Sequence, residues 1–159
     1  MKKELLLCVL ISLTLSSHSI HAQSTVSTSP QKSGSMLNHI ALYVYNLKES
    51  ATFYENVVGL KSIPEPFKDG LHAWFSIGPG IALHVIQGAP KETQHDKHEH
   101  LCFSVPSIDN FIDKLVKNNV PYSNMAGTPQ TLTVRPDGVK QLYFQDPDGH
   151  WIEINNDRQ

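Results

Sequence analysis

The feature that most narrows the fold is an internal repeat. The stretch His39-Ile40-Ala41-Leu42-Tyr43-Val44 returns 61 positions later as His100-Leu101-Cys102-Phe103-Ser104-Val105. Both alternate apolar and mixed residues, as a half-buried strand does. Each is followed by a helix-capping residue, Asn46 or Ser107. Helical spacing then appears in Leu47, Ala51, Phe53, Tyr54, Val57 and Val58, stopped by Gly59, and in Ile108, Phe111, Ile112, Leu115 and Val116, ending near Asn118 and Asn119. Short strand patterns complete each copy, at 60–63, 71–77 and 81–87 in the first and at 120–122, 132–135, 140–145 and 151–155 in the second. Two copies of strand-helix-strand-strand-strand predict an α+β fold of two βαβββ modules.

The flanks read differently. Lys2 and Lys3 precede an apolar run over 5–15, and small or polar residues follow as far as Ala22. That order predicts a secretory signal peptide over 1–22, hence an exported protein, periplasmic or secreted. The run is too short to cross a bilayer, so no membrane span is expected in the mature chain. A disordered leader rich in Ser, Thr, Gly, Gln and Pro is expected over 23–35, with the folded domain over 36–157, module one at 36–88 and module two at 97–155. A net charge of −2 supplies no basic field for nucleic acid. After removal of the signal peptide Cys102 is the one cysteine, so an oxidising compartment adds no intramolecular disulfide and packing must hold the fold.

Two segments, LNHIALYVYNLKESATFYENVVGL from position 37 and YFQDPDGHWIEI from position 143, resemble the opening and closing segments of the vicinal oxygen chelate superfamily. That is the group of glyoxalases, fosfomycin-resistance proteins and extradiol dioxygenases, and the resemblance spans 37–155. It implies that the two modules curve into one open cup around a metal. It also implies a homodimer, in some members with one module from each subunit at the site.

Strand parity then selects the side chains that face such a cup. Ile40, Leu42 and Val44 form the apolar face of the first strand, which leaves His39, Tyr43 and Tyr45 on the other. The same reasoning turns His84, His100, Cys102, Trp151 and Glu153 toward the cup, and places Trp74 and Tyr143 beside them. His39, His84, His100 and Glu153 are therefore the expected ligands of one divalent ion: zinc, nickel, iron(II), manganese or cobalt. A Glu between two Ile in a strand needs such a partner, because an unpaired buried charge is costly. Tyr43, Tyr45, Trp74, Cys102, Tyr143 and Trp151 are the expected walls for a small-molecule substrate. His95 and His98 read as part of a solvated linker, and His72 and His150 as loop or strand-end residues.

The resemblance implies bidentate chelation of two neighbouring substrate oxygens, with Glu153 as ligand and base and His84 as a further catalytic group. A glyoxalase-like lyase or isomerase follows. His39, His100 and Glu153 alone would form the triad of an iron(II) extradiol-type dioxygenase or a metal-dependent thiol transferase. A sequestering protein of the bleomycin-resistance kind is the non-catalytic alternative.

Overall fold

Alternating burial builds both halves of the molecule. In a computed structural model, which describes residues 34–91 and 93–157, β1 (His39–Val44) is followed by α1 (Leu47–Phe53), β2 (Lys61–Ile63), β3 (His72–Gly78) and β4 (Ile81–Gln87). Module two repeats the order with β5 (His100–Ser104), α2 (Ile108–Lys117), β6 (Thr133–Val134), β7 (Lys140–Gln145) and β8 (Trp151–Asn155). The expected signal peptide, and the leader up to residue 33, lie outside the described residues. No helix among the described residues is long and apolar enough to cross a membrane.

Each module forms its own four-stranded open sheet, in the orders β1-β4-β3-β2 and β5-β8-β7-β6. The first and last strands of each module pair in parallel, and the rest antiparallel. The registers superpose: Ala41 stands opposite His84 as Cys102 stands opposite Glu153, and Trp74 opposite His84 as Tyr143 opposite Glu153.

Both helices start where the caps predict. The Asn46 side chain accepts the Glu49 amide, and the Ser107 hydroxyl accepts the Asn110 amide. The first helix does not run evenly to Gly59. Over Tyr54–Val58 it widens into a π-helical turn, closed by the Gly59 amide on the Tyr54 carbonyl at 3.0 Å, with Gly59 left-handed at φ 88°. That turn buries Tyr54, Val57 and Val58 together. Tyr54, Phe75, Leu83, Leu115, Leu142, Phe144, Ile152 and Ile154 form one shared core against the inner sheet faces. Each such side chain contributes about 1.5–3 kcal/mol when fully buried. The expected strand at 120–122 is absent: Ser123 makes only isolated bridges, to Pro129 and Tyr143. Two prolines, Pro121 and Pro129, deny this stretch the donors a ladder needs.

The modules are also tied by polar groups at the β7–β8 turn. Asp146, 5 % exposed, accepts the Tyr54 hydroxyl at 2.7 Å and pairs with His150 Nδ1 at 2.9 Å. Asp148 accepts the Ser50 hydroxyl at 2.7 Å and the Tyr45 amide.

Candidate metal centre

The best-built part of the site lies on β5 and β8. Ile152 and Ile154 are fully buried on the core side, so Glu153 must face the other way. It is 4 % exposed and both its oxygens are engaged. Oε1 accepts Gln141 Nε2 at 2.6 Å, Asn155 Nδ2 at 3.0 Å and the Cys102 thiol at 3.2 Å. Oε2 accepts the Tyr143 hydroxyl at 2.7 Å and lies 3.3 Å from His100 Nε2. Burial pushes the Glu153 carboxyl up, but these donors outweigh it and hold the group below the ordinary carboxylate value. The partners respond in the opposite sense. Burial, followed by the hydrogen bond to Glu153 and its charge, pushes the Cys102 thiol up to about 12, and the same causes raise the Tyr143 phenol.

His100 is oriented for ligation. Its Nδ1 lies 2.8 Å from the Lys97 carbonyl, which can only accept, so the ring proton sits on Nδ1 and Nε2 carries the lone pair. His39 repeats the arrangement, with Nδ1 2.8 Å from the Asn38 side-chain oxygen. With the proton on Nδ1, His100 Nε2 and Glu153 Oε2 present two lone pairs 3.3 Å apart to any cation between them. This donor set therefore fits a divalent ion.

On β4, Leu83 and Val85 are fully buried and turn His84 toward the same face as His39. The His39 and His84 rings stand 5.9 Å apart. His84 Nε2 is occupied by His72 Nδ1 at 2.7 Å, and the Trp74 ring stacks on His84 at 4.1 Å. Burial, followed by the nearby His72 and His39, lowers the His84 pKa. The structure thus brings His100 to Glu153 and His39 to His84. Among the described residues, no three His, Cys, Asp or Glu side chains come together as a metal cage within this chain.

The expected substrate walls divide in the same way. Tyr43 and Tyr45 are 54 % and 52 % exposed on the module-one face. The Tyr43 ring lies so close to Gly88 that a Cβ there would fall 2.5 Å from its hydroxyl. Trp74 Nε1 is buried with no acceptor among the described residues. Cys102 lines a cavity of about 700 Å³ with His100, Ser104, Arg135, Glu153 and Asn155. Arg135 at this wall pairs with Asp137 and Asp157, which spend its charge. Trp151 does not line that cavity. It joins Tyr143 and Tyr122 around a second one of about 390 Å³, with the Lys97 ammonium 4.4 Å over its ring.

Two readings of histidines need revision. His95 is half-buried rather than fully solvated: its ring packs 4.0 Å from His150, and its Nε2 is buried without a partner among the described residues. His72 is a strand-end residue, as expected, but it also reaches His84. Parity carried the signal, because His72 shares a face with Trp74. Gln141 shares one with Tyr143 in the same way, and reaches Glu153.

Comparison with known proteins agrees with this architecture. Glyoxylase I 4 of Arabidopsis thaliana is 30% identical over 128 residues, covering 76% of this chain and 70% of that protein. The metallothiol transferase FosB of Lysinibacillus sphaericus (strain C3-41) is 30% identical over 122 residues, covering 75% of this chain and 80% of that protein. Among solved structures, a glyoxalase family protein from Bacillus anthracis superposes with a TM-score of 0.62 at 24% identity, covering 80% of this chain and 99% of the other. The fosfomycin resistance protein FosX from Listeria monocytogenes gives 0.60 at 22% identity, covering 77% and 93%. The family model for the Glyoxalase/Bleomycin resistance protein/Dioxygenase superfamily matches residues 36–154, and the chain belongs to that superfamily.

Proposed function

We propose that this protein is a metal-dependent lyase or isomerase that takes a small substrate through two neighbouring oxygens, with the ion held by His39, His100 and Glu153. The observation that carries the reading is the Glu153 carboxylate, fixed by four donors and set against the lone pair of a pre-oriented His100. When bound, a divalent ion there supplies Lewis acidity toward substrate oxygens. His39 and His100 offer Nε2, and Glu153 offers Oε2. Glu153 is a poor base, because four donors lower its pKa and the remaining Oε2 lone pair faces the ion. Proton movement therefore falls to His84, whose lowered pKa keeps it neutral at physiological pH. Tyr43, Tyr45 and Trp74 wall the substrate, and the indole Nε1 offers a donor to a substrate oxygen.

The two half-sets come together when two copies pair, module one of one chain facing module two of the other. The exposed Tyr43, Tyr45, Phe67 and Leu71 around the His39 half support this arrangement. A second reading, metal-dependent thiol transfer, uses the same three protein ligands, and the likeness to the metallothiol transferase FosB of Lysinibacillus sphaericus supports it. An assay of ion-loaded protein separates the two. Isomerisation of 2-oxoaldehyde–thiol adducts supports the first reading, and thiol addition to an epoxide the second. His84→Ala should keep the ion and lose turnover. Wild-type turnover in that variant, or ion retention in Glu153→Gln, overturns the assignment.

A further inference from the structure

We infer that Asp69 and His72 are a positioning pair that fixes His84 with its proton on Nε2 and its lone pair on Nδ1. The inference rests on the proposed role of His84 and names residues outside the expected site. His72 Nε2 lies 3.3 Å from Asp69 Oδ2, and His72 Nδ1 lies 2.7 Å from His84 Nε2. The Asp69 charge beside Nε2 favours the His72 proton there and leaves the lone pair on Nδ1, next to His84. His84 must then donate through its own Nε2–H. Nδ1 is then the nitrogen that carries the lone pair.

The remaining contacts hold this geometry. The Phe67 ring lies over both imidazoles, 4.5 Å from His72 and 5.8 Å from His84, and Trp74 stacks on His84. Asp69 is itself held by accepting the Leu71 amide at 2.9 Å. The repeat supplies an internal control. His72 stands opposite Ile86 as Gln141 stands opposite Asn155, and each reaches the equivalent position on the last strand of its module, His84 or Glu153. A donor amide serves the carboxylate, and an accepting imidazole serves the imidazole.

Long-range proton–nitrogen NMR of the full chain reads the tautomers directly. In the unmodified protein His84 and His72 should both appear as Nε2–H forms. His72→Phe, which keeps an aromatic ring beside Phe67, should shift His84 to a mixture of tautomers. His72→Gln, whose amide oxygen still accepts, should restore the Nε2–H form. Asp69→Ala, at a half-exposed position, should release the His72 tautomer and guards against a His72 variant that does not fold. An Nδ1–H His84 in the unmodified chain, or an unchanged His84 tautomer in His72→Phe, overturns the inference. Ion retention in Glu153→Gln would sink the metal reading and leave these tautomers untouched, so the two failures are distinguishable.

Discussion

Replacing Tyr143 by Phe removes one hydroxyl and tests the electrostatic design of the Glu153 half. The ring remains, with its edge contact to His100 at 5.5 Å. The bond removed is a buried one of 2.7 Å from a neutral donor to an ionised acceptor. Such bonds contribute about 1.5–3 kcal/mol. Glu153 keeps three donors on Oε1, but Oε2 is left facing only His100. A loss of about 2 kcal/mol at pH 7 follows for chelator-treated protein, so the urea midpoint should fall by roughly 1 M for a domain of this size. The sign with pH is set by the lowered Glu153 pKa. Its stabilisation is complete above the unfolded carboxyl value, about 4.3, and is lost as pH falls through the lower folded value. The Tyr143→Phe penalty should therefore shrink on acidification, and shrink likewise in a Glu153→Gln background. A loss below about 0.5 kcal/mol at pH 7, or one that grows as pH falls, refutes the reasoning.

Co-expression of His39→Ala with Glu153→Gln chains should restore ion binding at one of the two sites of a mixed dimer, read by metal analysis of the isolated heterodimer; no recovery would place both halves of a site in one chain. Asp146→Ala strands the buried Tyr54 hydroxyl and should cost about 3 kcal/mol in a denaturant titration. Gly59→Ala forces a left-handed residue at φ 88° and should cost about 1 kcal/mol, seen as a small drop in Tm, without changing ion content.

The modules were legible because repetition and parity are properties of the sequence. The apolar brackets Leu83/Val85 and Ile152/Ile154 fix the direction of His84 and Glu153 whatever the surroundings. The caps Asn46 and Ser107 were legible for the same local reason. The π turn at Tyr54 was not, since it depends on a reach to Asp146, 92 positions away in the chain. The donors around Glu153 were only partly legible. Parity placed Tyr143 and Cys102 on its face, but no local pattern gives the rotamers that bring Gln141, Asn155 and Cys102 onto one oxygen. His72 was read only as a loop or strand-end residue, although parity sets it on the face of Trp74, and no local pattern shows that it occupies His84 Nε2. The packing of half-buried His95 was missed because its polar neighbours suggested solvent, whereas its ring packs against His150.

The central claim is that Glu153, His100 and His39 hold one divalent ion. Elemental mass spectrometry on untagged protein, alongside Glu153→Gln and His39→Ala, tests it most directly. The account predicts near-stoichiometric metal in the unmodified protein and its loss in both variants. Unmodified protein that neither carries metal nor takes it up, or variants that keep it, would contradict the account.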